Sequence, residues 1–265
     1  MSGRDNVGSA WIRGLKTILV LSVIFSLWEF VSRAEIVNPF LFPPPTQVFT
    51  DTWVAFTNPP YRSGEGLLFQ IGKSVYRSVT GWTIGVIAGV LFGIVAEWWD
   101  KPGSVAISIL EFLRPIPVIL FLPVLVLIVG IGDLSRIIVI AWASFIFVAI
   151  NTIFGVRTAK QSLLPDVVRS FGGSETLVLR QAVFGLAIPQ IVAGARQAVG
   201  IALVLMVASE LILSTDGLGW FILFMRRSLF PAQMYGAILI VGILGLVFGA
   251  LFGRLEKRIL RPYIR

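Results

Sequence analysis

The chain has 265 residues, of which 56% are hydrophobic and 14% charged, with a formal net charge of +8 and neither cysteine nor histidine. A mean hydropathy of +0.89 places it among polytopic membrane proteins, because no water-soluble fold hides that much apolar surface. The missing Cys and His exclude disulfides, thiol and imidazole catalysis and the common transition-metal sites, so no catalytic, cofactor or metal residue is expected in this chain.

The opening segment, MSGRDNVGSAWIRGLK, is polar and basic. The apolar run after it lacks a small-residue cleavage site, so it is expected to stay as a helix rather than leave as a signal peptide. Six spans are read within one transmembrane domain, residues 1–265, each needing roughly 20 residues to cross about 30 Å of hydrocarbon. They are Leu15–Val31, Val75–Ala96, Ile116–Ile131, Ile137–Val156, Ile188–Leu213 and Tyr235–Phe252. The short third span follows an amphipathic piece, Ser104–Leu113, expected to lie along the interface before Arg114-Pro115-Ile116-Pro117 turns the chain inward. The expected fold is therefore an all-α bundle of six transmembrane helices.

Glycine recurs every fourth residue in the second span (Gly81, Gly85, Gly89, Gly93) and in the sixth (Gly245, Gly249, Gly253). Such stripes let a neighbouring backbone approach, and packing inside the chain is the expected use of both. Two apparent nucleotide motifs fail. Gly72-Lys73-Ser74 has Leu67 where a phosphate-binding loop needs glycine, and Gly130-Ile131-Gly132-Asp133 reads as a tight turn.

Most of the 22 Lys and Arg fall on one set of alternate segments when the N-terminus is placed inside, so both termini and the segment 157–187 are expected in the cytoplasm. The basic balance is thus a mark of membrane topology, and no nucleic-acid partner is expected. The segment 157–187 separates two spans and reads as a short amphipathic helix, with Pro165, Asp166, Val167, Val168 and Arg169, ended by Gly172-Gly173 before a second helical stretch from Ser174. Glycine at 172 suits a left-handed helix end, and Asp166 suits a first turn.

Glu210 is the one acid embedded in a strongly apolar stretch, VLMVASELILS, and is a candidate for the translocation path together with Asn151 and Ser209. A helix-capping or outer-boundary carboxylate is the competing reading of Glu210. For an anionic cargo, backbone donors, hydroxyls or Arg136 are better suited than an acid.

At the 157–187 loop the chain resembles the permease subunits of bacterial ATP-binding-cassette importers, whose signature is Glu-Ala-Ala, three residues, Gly, nine residues, Ile-x-Leu-Pro. Here the pattern reads Asp166-Val167-Val168, Gly172 and Ala182-Val183-Phe184-Gly185, with Ile188-Pro189 four residues on. Further segments are similar to the nitrate/sulfonate/taurine branch. They include Leu41 to Val48 (LFPPPTQV), Ser74-Val75-Tyr76-Arg77, Leu113 to Pro117, Gly130 to Asp133, Asn151-Thr152, Ala208-Ser209-Glu210-Leu211 and Gly217-Leu218-Gly219.

The resemblance implies a type I importer permease bundle in the inner membrane, with two cytoplasmic ATP-binding subunits that hold ATP and magnesium. It also implies an extracytoplasmic solute-binding protein and a second permease, either a copy of this chain in a homodimer or a paralogue. Residues 165–169, 172 and 173 would form the coupling helix that meets the ATPase, and the cargo would be a small, anionic solute. A secondary transporter or channel without an ATPase is the alternative, but no internal repeat of the kind such transporters show is evident.

Overall fold

A computed structural model describes residues 4–57, 66–98 and 102–263. Among them every regular element is helical: α1 (Arg4–Arg33), α2 (Pro45–Thr57), α3 (Leu67–Trp98), α4 (Pro102–Leu113), α5 (Leu122–Val129), α6 (Asp133–Lys160), α7 (Leu164–Ser170), α8 (Glu175–Leu177), α9 (Phe184–Leu213), α10 (Leu218–Arg227) and α11 (Pro231–Leu260). Helices dominate because a chain in hydrocarbon must satisfy its backbone polar groups internally.

Five apolar helical stretches are long enough to cross a membrane: Leu15–Arg33, Leu67–Glu97, Asp133–Lys160, Phe184–Leu213 and Pro231–Tyr263. The third span differs from the straight Ile116–Ile131 expected from the sequence. It is a bent pair, Ser104–Leu113 and Val118–Val129, meeting at 79°. Pro115 and Pro117 cause the break, since each lacks an N–H and forces the preceding residue out of helical geometry. Ile107 and Leu110 of α4 are buried with Ile146, Ile150 and Ile153 of α6, so this helix packs on the bundle as well as carrying an exposed face.

The chain divides into two compact units, Met1–Leu67 with Phe221–Leu239, and Leu68–Trp220 with Ile240–Arg265. In the larger unit α6 is central: 61% of its most apolar window is buried, against 33% for α9 and 28% for α3. The glycine stripe of α3 lies on α6. A Cβ at Gly85 would stand 2.5 Å from the Ala141 carbonyl oxygen, one at Gly89 2.9 Å from that of Phe145, and one at Gly93 2.6 Å from Thr152 Cβ. Backbones in this contact leave no room for a methyl group. On its other side α6 meets α9, where added Cβ atoms at Gly155 and Gly194 would stand 2.8 Å from Gln190 Cβ and 2.7 Å from Asn151 Cβ.

The stripe on α11 behaves otherwise. Among the described residues nothing lies within 4 Å of a Cβ built at Gly249 or Gly253, so these glycines take no part in packing within the chain. At the other end of the α3–α6 pair, the buried Glu97 accepts from Arg157 Nε at 3.0 Å, and Lys160 Nζ reaches its carbonyl oxygen at 2.5 Å.

The smaller unit is organised by the turn from α1 to α2. Trp28 Nε1 donates to the Pro43 carbonyl at 3.1 Å and Ser32 Oγ to that of Phe42 at 2.6 Å. Glu29 accepts from the Thr46 backbone N–H at 3.2 Å and its hydroxyl at 2.9 Å, supplying the open N-terminus of α2 with an acceptor. The rings of Trp28 and Phe42 both pack on Tyr235, at 5.9 and 6.0 Å.

Candidate functional site

The loop between α6 and α9 folds by local chemistry. Helix α7 has Pro165 in its first turn, where the missing N–H costs nothing, and Asp166 beside it, where negative charge meets the helix dipole. Its end is a complete Schellman motif. Gly173 N donates to the Val168 carbonyl and Gly172 N to that of Arg169, each at 2.9 Å, with Gly172 at φ +78°. A side chain at Gly173 would collide with Val168, and one at Gly172 would be strained by the left-handed backbone. Ser174 then caps α8, its hydroxyl accepting from Leu177 N at 3.3 Å.

Arg169 closes the two helices on each other. Its Nε donates to Glu175 Oε1 at 2.8 Å and its Nη1 to Asp166 Oδ1 at 3.1 Å. The hydrogen bonds from Arg169 hold the Glu175 carboxyl below its ordinary pKa, and Glu175 raises that of the guanidinium. A π-helical turn, Val178–Val183, leads into α9, and Val183 is buried with Val156 and Ala159 of α6. The loop is thus a capped, clamped body anchored to the bundle.

One face of this body is apolar and open. Leu163 is 81% exposed and Phe171 89%, with Val167 exposed midway between them. At a spacing of four residues the three share one helix face. This face lies outside the five long apolar stretches and their bent companion.

A second arrangement sits where α3, α6, α9 and α10 meet. Gln70, Ser74 and Arg77 occupy one face of α3 at i, i+4 and i+7. The first N–H groups of α10 receive acceptors from outside their own helix: Gly217 N donates to Gln70 Oε1 at 2.6 Å, Leu218 N to Ser74 Oγ at 2.8 Å and Gly219 N to Glu210 Oε2 at 2.9 Å. Gly217, at φ +98°, and Gly219 have to be glycine here, because a Cβ on either would overlap Glu210.

Arg77, 1% exposed, is the hub. Its Nη1 donates to Glu210 Oε1 at 2.8 Å and to the Asp216 carbonyl at 3.1 Å, its Nε to Asp133 Oδ1 at 2.8 Å, and its Nη2 to the Asp216 carboxylate. Lys73 Nζ adds a bond to Asp133 Oδ2 at 3.0 Å. Arg136 donates to the Gly132 carbonyl at 2.6 Å and to that of Leu213 at the end of α9, where a cation suits the helix dipole. Lys73 and Arg77 are thus ion-paired with Asp133, Glu210 and Asp216, and Arg136 stands beside them on backbone carbonyls.

The structure separates the residues that the sequence grouped as path candidates. Ser209 is buried and donates to the Met206 carbonyl at 2.9 Å, and Asn151 to that of Phe147 at 2.8 Å, so each bonds to its own helix rather than across helices. Asn151 packs by Gly194, which is sixteen positions, or about 24 Å of helix, from Glu210. Arg136 is engaged with backbone carbonyls. Glu210 sits in the buried network and caps α10. The sequence reading did not connect Glu210 with Ser74 and Arg77, which bond to it, or with Gln70 and Asp133, which complete the same network.

The model of the family described as "Binding-protein-dependent transport system inner membrane component" matches residues 81–261. The chain is 27% identical over 243 residues to the taurine transport system permease protein TauC of Escherichia coli (strain K12), covering 92% of this chain and 88% of that one. It is also 27% identical over 259 residues to the putative aliphatic sulfonates transport permease protein SsuC of Bacillus subtilis (strain 168), covering 98% and 90%. Its fold is similar to a chain of the inward-facing MetNI methionine ABC transporter, with a TM-score of 0.54 at 19% identity over 71% of this chain and 91% of that one. The glycine contacts of α3, the α7 loop and the Glu210 cap all fall within or beside the matched span. The chain belongs to the binding-protein-dependent transport system inner membrane components, and it is the membrane-spanning transport subunit of an ATP-binding-cassette importer whose ATP hydrolysis lies in a separate subunit.

Proposed function

We propose that this permease, a single domain, pairs with a second copy of itself and rests on two ATP-binding subunits, which carry ATP and magnesium. Both termini and the α7 loop face the cytoplasm, and a solute-binding protein delivers cargo to the opposite side. The cargo is a small anion of the sulfonate, taurine, nitrate, aromatic acid or vitamin-precursor class, a range drawn from the relatives' names and from the family resemblance.

The observation that carries the ATPase contact is the exposed face of Leu163, Val167 and Phe171 on a body held rigid by the Gly172 cap and the Arg169 clamp. A helix fixed in this way transmits a push as rotation of the spans it is anchored to, whereas a loose loop would absorb it. In this reading Pro165, Asp166, Val167, Val168, Arg169, Gly172 and Gly173 set the shape of the coupling helix. Leu163 and Phe171 supply its apolar contact. Glu210, Ser209 and Asn151 support the helices beside the path.

Affinity purification of a tagged permease from its own membranes tests this. The ATP-binding subunit should co-purify with the wild type and be depleted by Phe171→Asp, while the permease itself remains in the membrane at normal abundance. Recovery of the wild type free of any ATP-binding subunit, in a detergent that preserves other such importers, would overturn the reading.

A further inference from the structure

Positions 231–253 of α11 carry no Asp, Glu, Lys or Arg. These 23 residues rise about 34 Å as a helix, slightly more than the roughly 30 Å of a hydrocarbon core. The helix runs on to Leu260, followed by a short turn to Tyr263, so its last two turns stand at the level of the lipid headgroups. That depth follows from the length of the apolar stretch and holds for either orientation of the chain.

Those two turns are basic on one side. Arg254, Lys257, Arg258 and Arg261 recur at i, i+3, i+4 and i+7, and all four are exposed. None of their side chains has an ion-pair partner among the described residues. The one acid of the segment, Glu256, is turned to Arg196 of α9 and accepts from its Nη1 at 2.6 Å. Like charges four positions apart, Arg254 with Arg258 and Lys257 with Arg261, weaken a helix. The helix dipole favours cations only near the last turn, and Arg254 lies six residues before the end. The face therefore carries a cost that an anion would offset.

The same face continues into the hydrocarbon. Val247, seven positions before Arg254, is 44% exposed, and Leu251 beside it is 52% exposed. A soluble anion would meet the cations and leave this apolar strip alone. A ligand that matches both has a negative head and an apolar tail.

We propose that residues 254–261 form a docking site for an anionic phospholipid, whose headgroup engages Arg254, Lys257, Arg258 and Arg261 while its acyl chains lie over Val247 and Leu251. In the orientation proposed above it belongs to the cytoplasmic leaflet. The Arg196 bond to Glu256 extends the anchor to α9, so one lipid fixes two spans at a common depth. The inference requires only that α11 crosses the membrane, and it goes beyond the partners and cargo proposed above.

Because the chain has no cysteine, a single thiol can report on the lipid at this face. Val247→Cys carrying a bimane fluorophore is purified with its ATP-binding subunit into phosphatidylcholine nanodiscs. Phosphatidylglycerol with dibrominated acyl chains should quench it with an apparent affinity about fivefold that of the equally brominated phosphatidylcholine. At Ile87→Cys, exposed on α3 and ten positions from the nearest charge along its helix, the two lipids should quench alike. Arg254→Gln with Arg258→Gln should bring them to near parity at residue 247. Lys257→Gln with Arg261→Gln is the second pair, should the first not be recovered.

Equal quenching by both lipids at residue 247 of the otherwise unchanged chain, quenching by neither, or a preference that survives the Gln pairs would each overturn the site. Quenching by neither would mark a face covered by protein, either the ATP-binding subunit or a second copy of this chain. Loss of the preference in sodium phosphate, but not in sodium chloride of equal ionic strength, would assign the face to a soluble anion and equally overturn it.

Discussion

Arg77 Nη1 donates to Glu210 Oε1 across 2.8 Å, joining two side chains 133 positions apart, each about 1% exposed. The same carboxylate accepts from Gly219 N, so one residue both balances a buried cation and caps a helix. Removing it has two costs.

The two roles of Glu210 are separable by substitution. Glu210→Ala leaves Gly219 N and Ser74 without their acceptor and Arg77 without one counter-ion, a loss on the order of 3–5 kcal/mol for a broken buried pair. Glu210→Gln keeps an acceptor for Gly219 and should lose distinctly less. Thermal unfolding of the two purified variants checks the order, and a Gln variant as unstable as the Ala variant would show that the charge alone matters. Arg77→Met, which leaves Glu210, Asp133 and Asp216 facing one another, should be depleted from the membrane more than either.

Bulk on α3 should be punished by face. Gly85→Leu and Gly89→Leu push against carbonyl oxygens of α6 and should cost about 1–3 kcal/mol or more. Ile87→Phe, on an exposed face, should be nearly silent. Unfolding midpoints in detergent decide the matter, and equal tolerance at all three positions would contradict the packing described above. Gly249→Leu, with open space around it, should not lower the stability of the single chain.

Coupling should depend on the shape of the α7 loop. Gly172→Val imposes a left-handed backbone on a β-branched residue, at about 1–2 kcal/mol, and Arg169→Glu turns a clamp between Asp166 and Glu175 into a repulsion. Both should abolish cargo-stimulated ATP hydrolysis in reconstituted vesicles while leaving the permease abundant. Normal uptake by both variants would remove the loop from the transmission path.

Topology can be read by thiol labelling in intact cells and inverted vesicles. Ser162→Cys and Arg261→Cys should react only from the cytoplasmic side, and Thr57→Cys only from the other. Reaction of residue 162 from outside would invert the orientation and take the ATPase contact with it.

The α7 loop was legible in the sequence because its determinants are local: Pro165 and Asp166 in a first turn, Gly172 at an αL position and Ser174 at an N-cap each act within a few residues. The proline pair at Pro115 and Pro117 was likewise readable as a turn, although the resulting 79° bend needed the packing of α4 on α6 to appear. The charge network was not legible, because Arg77 meets partners 56 to 139 positions away and nothing local marks them. A signal was present in Gln70, Ser74 and Arg77 at helical spacing on one face of α3. Arg77 was read within the Ser74-Val75-Tyr76-Arg77 segment and Arg136 as a group suited to an anionic cargo, so neither was connected with Glu210. The Gly217-Leu218-Gly219 motif also had no sequence-level explanation until Glu210 was seen seated against it.

The neutrality of the cluster around Arg77 bears on how the transporter senses the cell's energy. A transmembrane voltage acts on net charge, at about 2.3 kcal/mol per elementary charge for each 100 mV. Lys73, Arg77 and Arg136 against Asp133, Glu210 and Asp216 sum to zero, so a motion that carries the cluster as one body does no electrical work against the membrane field. Translation of these six side chains together therefore adds no net gating charge to the transport cycle.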